Sequence, residues 1–247
     1  MSKNVAAIIC AAGASSRFGG KKKKPFVNVA GRAAFLRSVE LFNEREDVKQ
    51  VLLMISEEDR EMVEVSHGAK LQFFGVKVCI GGAERFETVS KALELVRDDI
   101  DIVAVHDAVR CCVTAQWIDE CLKKAFETGA AMLACPVVAT IKDVKDGVIV
   151  GTVDRGGLYE AQTPQIFSAE LLRKAYSNID KLDKSKISDD SQLVEMMGHK
   201  VAIVETDSSN IKITRPCDAV IATAIIKEQE KQVKPKGYKS PFNEDIW

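Results

Sequence analysis

The residue types best suited to chemistry gather near the amino end. An apolar run, Val5-Ala6-Ala7-Ile8-Ile9-Cys10, gives way to Ala11-Ala12-Gly13-Ala14-Ser15-Ser16-Arg17 and then to Lys21, Lys22, Lys23 and Lys24. Small residues let a backbone approach a ligand closely, and their amides can wrap a phosphate chain. Arg17 and the lysines add fixed positive charge for the phosphates those amides would hold. A strand, a glycine-containing turn and then cations is the layout of a nucleotide triphosphate site. The run carries neither GxxxxGK[ST] nor a full GxGxxG, so it is not a P-loop or a dinucleotide fingerprint. A tight turn followed by a solvated basic surface would also explain it. Adjacent lysines repel and cannot all face one ligand; Lys24, beside Pro25, is the candidate.

Further along comes Val105-His106-Asp107-Ala108-Val109-Arg110. A carboxylate at the end of a buried strand is a hard oxygen ligand suited to Mg²⁺. The arginine three residues later offers a planar fork for a phosphate monoester. A helix-capping Asp with a surface Arg is the plainer alternative. In Gly81-Gly82-Ala83-Glu84-Arg85-Phe86-Glu87-Thr88, a strand end opens a helix, where free amides and paired glycines could meet a flat base. Thr88 could bond that base or cap the helix. Thr140 and Lys142, Thr152-Val153-Asp154-Arg155, Gln162-Thr163-Pro164-Gln165 and Asn210-Ile211-Lys212-Ile213-Thr214 complete the set; Arg155 and Lys212 are the least comfortable as filler.

The elements that must position these residues follow from periodicity. Apolar runs at Val5–Cys10, Val51–Ile55, Val76–Ile80, Ile102–Val105 and Ala131–Val137 alternate with stretches of helical spacing, such as Val89, Ala92, Leu93 and Val96. Ser56 and Thr114 are candidate helix caps and Gly129 a stop. Continuous apolar strands between helices predict an α/β fold, a mostly parallel sheet covered on both faces. Ligands then bind beyond the carboxyl ends of the strands. Residues 142–150 read as a hairpin about Asp146-Gly147, the core of an arm over about 139–157. Helices are expected at Ala169–Tyr176, Asp189–Met197 and Asp218 to Lys231, and a strand at Val201–Glu205. Residues 1–231 form one domain, and 232–247 a flexible tail.

Composition narrows the function classes. A formal net charge of -1 excludes a global basic field for nucleic acid. No apolar run reaches the roughly 18 to 20 residues of a membrane span, so a cytoplasmic protein is expected. The seven cysteines form no CxxC and read as reduced, mostly buried thiols. The three histidines are too scattered for zinc.

Taken together and in order, Ala11-Ala12-Gly13…Arg17…Lys24, Gly81-Gly82…Arg85…Thr88, His106-Asp107-Ala108-Val109-Arg110, Thr140-Ile141-Lys142, Thr152-Val153-Asp154-Arg155, Thr163-Pro164-Gln165 and Asn210-Ile211-Lys212-Ile213-Thr214 resemble one family. It is the 2-C-methyl-D-erythritol 4-phosphate cytidylyltransferases of the non-mevalonate isoprenoid pathway. The likeness covers roughly residues 5 to 228. It implies a Rossmann-like nucleotidyltransferase fold with a protruding β-arm that builds a homodimer. It also implies Mg²⁺-dependent transfer of CMP from CTP to a polyol phosphate. On this resemblance Arg17, Lys24 and Lys212 are catalytic. Ala11, Ala12, Gly13, Gly82, Ala83 and Thr88 line the nucleotide. Asp107, Arg110, Thr140, Arg155 and Thr163 hold the acceptor, Thr140 and Arg155 from the neighbouring subunit. The family pattern is broken at Pro25, Ala83, Ala139 and Cys111-Cys112. A ribitol 5-phosphate cytidylyltransferase shares most of these motifs; a nicotinamide oxidoreductase and a non-enzymatic CTP-binding regulator fit them less well.

Overall fold

Strand β1 (Val5–Cys10) is buried along its whole length and divides its side chains between two cores. Val5, Ala7 and Ile9 enter one; Ala6, Ile8 and Cys10 enter the other. That two-sided burial is what an unbroken apolar run demands of a central parallel strand. Each fully buried aliphatic side chain contributes roughly 1.5–3 kcal/mol. The computed structural model describes residues 3–13, 23–179 and 182–233. Arg17 and the tail residues 234–247 lie outside them.

After the loop, two short strands, β2 (Asn28–Val29) and β3 (Arg32–Ala33), lead into helix α1 (Ala34–Asn43). The chain continues through β4 (Val48–Ile55), α2 (Arg60–Phe73), β5 (Lys77–Ile80) and α3 (Arg85–Leu95). It then returns to the other side of β1 with β6 (Ile102–Asp107), followed by α4 (Ala115–Thr128) and β7 (Ala130–Pro136). β1 pairs in parallel with both β4 and β6. The strand order therefore reverses at β1, which opens a crevice beyond the carboxyl ends of β1 and β6.

Next come β8 (Ile141–Lys145), β9 (Val148–Val153), β10 (Tyr159–Ser168), α5 (Ala169–Tyr176), α6 (Asp190–Glu195), β11 (Ala202–Glu205) and α7 (Pro216–Val233). The main sheet has the order β11-β7-β10-β6-β1-β4-β5. Only β10 runs antiparallel, between β6 and β7, so the mostly parallel α/β expectation holds. β10 itself escaped the sequence reading, because Gln162-Thr163-Pro164-Gln165 breaks its apolar pattern. α7 starts before Asp218 and takes in two residues assigned to the tail.

The β8–β9 hairpin forms its own two-stranded sheet with nearly every residue exposed. Asp146 and Gly147 both take positive φ, 50° and 79°, as a tight hairpin turn requires. Thr114 caps α4 by accepting from the Trp117 amide, and Gly129 ends it at φ 82°. Ser56 stands at the N-cap position of the 3-10 turn Glu57–Asp59, but its hydroxyl donates to the Asp59 carboxylate and makes no capping bond.

Candidate active site

The register of β1 against β6 sets Cys10 opposite Asp107, so the first loop and the second motif leave the sheet side by side. The Ala11 amide donates to the Met54 carbonyl at 2.8 Å and the Ala108 amide to the Cys10 carbonyl at 3.0 Å. Those bonds fix the mouth of the crevice. Asp107 closes β6 from inside the strand rather than following it.

At the far end of the loop, Lys23 is bound to Glu58 at 2.6 Å and Asp59 at 3.0 Å. Burial alone would lower its ammonium, but bonds to the two carboxylates outweigh this and hold it raised. Lys23 is thus an anchor. Lys24 opens the short 3-10 turn that ends at Phe26, with buried Pro25 in its first positions, where a fixed φ costs nothing. The proline that departs from the family pattern shapes the turn behind Lys24.

Asp107 is the hub of the site. Lys212 Nζ lies 2.7 Å from Oδ2, Arg85 Nε 3.2 Å from Oδ1, and Arg110 Nε 3.8 Å from Oδ2. Burial would raise the carboxyl, but Lys212, Arg85 and Arg110 win and hold it well below the usual carboxylate range. Arg85 also reaches buried Asp190 at 2.7 Å, and Tyr176 donates to the same carboxylate at 2.5 Å. Burial works against the Arg85 cation, but Asp190 and Asp107 keep it firmly charged. Three cations thus converge on Asp107 and Asp190 beside the crevice.

Supporting bonds leave these groups little freedom. Arg110 donates to the carbonyls of Asn210 at 2.7 Å and Ala161 at 3.1 Å. Its fork is therefore partly spent on backbone rather than open to a phosphate. Asn210 is fully buried and donates to the Gln162 side chain at 2.8 Å, while the Ile213 amide bonds Val109 at 3.0 Å. Lys212 sits between those two tethers. Thr163 Oγ1 accepts from the Asp107 amide at 3.0 Å and lies 3.2 Å from His106 Nδ1. His106 is fully buried against Phe42, and burial pushes its imidazole down to about 3, so it stays neutral.

The glycine pair plays a different part from the one expected of it. A Cβ on Gly81 would stand 2.7 Å from Ala12 Cβ and 2.8 Å from Thr88 Oγ1; one on Gly82 would meet Glu87 Cβ at 2.3 Å. Here glycine admits the first loop and α3. The amides are committed too: Gly82 donates to Thr88 Oγ1 at 3.0 Å, and Ala83 to Glu87 at 2.9 Å. The expectation that the Ala83 amide is open to a nucleotide is corrected. Thr88 lies inside α3 and is no cap; Glu84 and Glu87 form the capping box.

Thr140 and Arg155 stand apart from this cluster, exposed at the root of the hairpin, where Arg155 donates to the Val138 carbonyl. Asp190 is a functional candidate that the sequence did not single out, and Arg85 one that it named in a motif without giving it a role. Arg85 was visible in the Gly-Gly-x-x-Arg run, but nothing local could pair it with a residue 105 positions away.

Asp107 does not fit as a metal ligand, since Lys212 and Arg85 occupy its oxygens and repel a further cation. Among the described residues no cluster of three His, Cys, Asp or Glu could hold an ion. No described helix is long and apolar enough to cross a membrane.

Comparison with known proteins agrees with this geometry. The model of the 2-C-methyl-D-erythritol 4-phosphate cytidylyltransferase family matches residues 5–228. A relative of that name from Endomicrobium trichonymphae is 41% identical over 223 residues, 90% of this chain and 98% of its own. Another from Caldanaerobacter subterraneus subsp. tengcongensis is 38% identical over 91% of this chain and all of its own. The crystal structure of the Thermus thermophilus 2-C-methyl-D-erythritol 4-phosphate cytidylyltransferase superposes with a TM-score of 0.75 at 30% identity, covering 92% of this chain and 100% of that one. The chain belongs to the 2-C-methyl-D-erythritol 4-phosphate cytidylyltransferase family.

Proposed function

We propose that the crevice at Asp107 is where CMP passes from CTP to 2-C-methyl-D-erythritol 4-phosphate, the reaction of this family in the non-mevalonate pathway. The observation that carries the assignment is the set Lys212, Arg85 and Arg110 around one buried carboxylate beside the first loop. An acceptor phosphate oxygen attacks the α-phosphorus, a new P–O bond forms, and the bond to the β-phosphate breaks to release pyrophosphate. The acceptor phosphate is already an anion near neutral pH, so no general base is needed. The barrier is repulsion between anions and charge build-up at the α-phosphorus, which preorganised cations lower by several kcal/mol.

In this reading Arg17 and Lys24 meet the triphosphate, with Ala11, Ala12 and Gly13 closing against it. Lys212, fixed on Asp107, meets charge at the reacting centre. Arg110 and Thr163 shape the acceptor pocket. A Mg²⁺ ion would neutralise triphosphate charge, held by phosphate oxygens and water rather than by Asp107. Thr140 and Arg155 belong to the acceptor site of a second copy, reached by exchange of the hairpin in a homodimer. The exposed Val144, Val148, Ile149 and Val150 give that hairpin apolar surface to bury. A cytoplasmic location completes the proposal.

Pyrophosphate release from CTP tests it, with methylerythritol phosphate, ribitol 5-phosphate and no acceptor compared side by side. Release with the first alone is expected. Release with ribitol phosphate at equal kcat/KM, or with no acceptor, would overturn the substrate assignment.

A further inference from the structure

Arg85 sets one guanidinium between two buried carboxylates, and one of its nitrogens is left over. Nε lies 3.2 Å from Asp107 Oδ1 and Nη1 2.7 Å from Asp190 Oδ2. Nη2 is buried without a hydrogen-bond partner among the described residues. In a guanidinium the Nε and Nη2 hydrogens point along one edge, a fork that takes both oxygens of a carboxylate. With Nε already on Oδ1, the oxygen that would complete the fork is Asp107 Oδ2. Lys212 Nζ holds that oxygen at 2.7 Å. Arg85 and Lys212 therefore compete for one atom, and the two-bond fork is the stronger pairing.

Asp190 stands where it can keep that fork open. It is fully buried, and Tyr176 Oη donates to its Oδ1 at 2.5 Å. The amides of Asp190 and Ser191 both donate to Gln165 Oε1 at 3.1 Å. Gln165 Nε2 donates in turn to Asp189 Oδ2 at 2.8 Å, and Asp189 caps α6 by accepting from the Gln192 amide at 3.0 Å. Gln165 lies on β10 two residues after Thr163, whose hydroxyl accepts from the Asp107 amide. The carboxylate that pulls on Nη1 and the carboxylate under contest are thus tied to the same strand.

We propose that Asp190 is a positioning residue for cytidyl transfer: by holding Arg85 Nη1 it keeps the guanidinium from closing on both oxygens of Asp107, and so reserves Oδ2 for Lys212. Without that pull the guanidinium turns Nη2 onto Oδ2. Lys212 then loses its carboxylate and moves toward solvent, to which 40% of its side chain is already open. Asp190 touches no reacting atom in this scheme; it acts through Arg85 and Asp107. An Asp190 that only stabilised the start of α6 would leave the Lys212 pairing untouched. The effect on transfer rests on the reading of Lys212 given above, whereas the contest for Oδ2 does not.

The test uses the full chain and two readouts, pyrophosphate release and the rate at which acetic anhydride acylates Lys212, followed by peptide mass. In Asp190→Asn, kcat should fall about tenfold (~1.4 kcal/mol) with the KM for CTP near wild type, and Lys212 acylation should rise several-fold. The double variant Arg85→Met/Asp190→Asn removes the competitor, so Lys212 should be as protected as in the wild type. That reversal is the signature of a contest; damage to α6 would persist or grow in the double variant. If Asp190→Asn does not fold, Asp190→Ser is read in the same way. Lys212 acylated at the wild-type rate in the single variant, or still fast in the double variant, overturns the proposal. Acylation reads the pairing whatever acceptor the enzyme uses, so a wild type inactive with methylerythritol phosphate would sink the substrate reading and not this one.

Discussion

The Asp107 cluster and the β8–β9 hairpin hold their cations in opposite ways. Around Asp107, Arg85, Arg110 and Lys212 share one buried carboxylate; the Asn210 carbonyl accepts from Arg110, Thr163 Oγ1 accepts from the Asp107 amide, and the Ile213 amide donates to Val109. Arg155, at the root of the hairpin, is exposed, and its side chain donates to the nearby Val138 carbonyl. A preorganised charge needs no rearrangement when the transition state forms, so the first region is built for rate. In the proposed homodimer the second would find its place against another surface, where it would serve binding. Lys23, held by Glu58 and Asp59, belongs with the fixed cations of the first kind.

The largest effect is expected from Asp107→Ala, which takes a carboxylate from three cations, of which Arg85 alone keeps a second, Asp190. Removing one side of a buried pair costs about 3–5 kcal/mol, a drop in Tm of about 6–20 °C for a chain this size. Activity should fall with it; a variant of unchanged Tm would mean that the cluster is not held by this carboxylate. The sign with pH follows from its depressed pKa. The unfolded carboxyl titrates near pH 3.9, so the contribution is complete above that value and is lost only as pH falls towards the folded pKa. The Tm gap between wild type and variant should stay constant from pH 5 to 8 and narrow below about pH 4.

Next in size is Lys24→Ala, expected to cut turnover at least about a hundredfold, ~2.7 kcal/mol on the barrier. Wild-type turnover would remove Lys24 from the mechanism. His106 sharpens the buried side. It is neutral in the fold down to about pH 3 but titrates near 6.5 when unfolded, so stability is full above pH 6.5 and declines below it. The decline approaches about 1.4 kcal/mol per pH unit, and acid unfolding of His106→Gln should lack that limb. The smallest effect belongs to Arg155→Ala, a rise of about tenfold in acceptor KM (~1.4 kcal/mol), with kcat and Tm near wild type. A fall in kcat alone would place Arg155 with the rate-determining group.

Much of this was legible in the sequence because it is local. Unbroken apolar runs marked the parallel strands, Asp146-Gly147 the hairpin turn, and Thr114 and Gly129 the ends of α4. Asp107 and Lys212 stood out by chemistry in apolar settings, and Lys24 by its place beside Pro25 at the end of the lysine run. What was missed is non-local. Asp190 reads as an ordinary helix-start acid until Arg85 and Tyr176 close on it. The amides of Gly82 and Ala83 look open until the Thr88 and Glu87 side chains turn back onto them. Asp107 reads as a metal ligand until three cations, brought from separate elements, surround it.

The most direct measurement is a crystal structure with CTP and Mg²⁺ bound. The account expects Arg17 and Lys24 against the triphosphate, Asp107 still bonded to Lys212, and the metal on phosphate oxygens alone. A triphosphate bound away from these two side chains, or Mg²⁺ coordinated by Asp107, would contradict it.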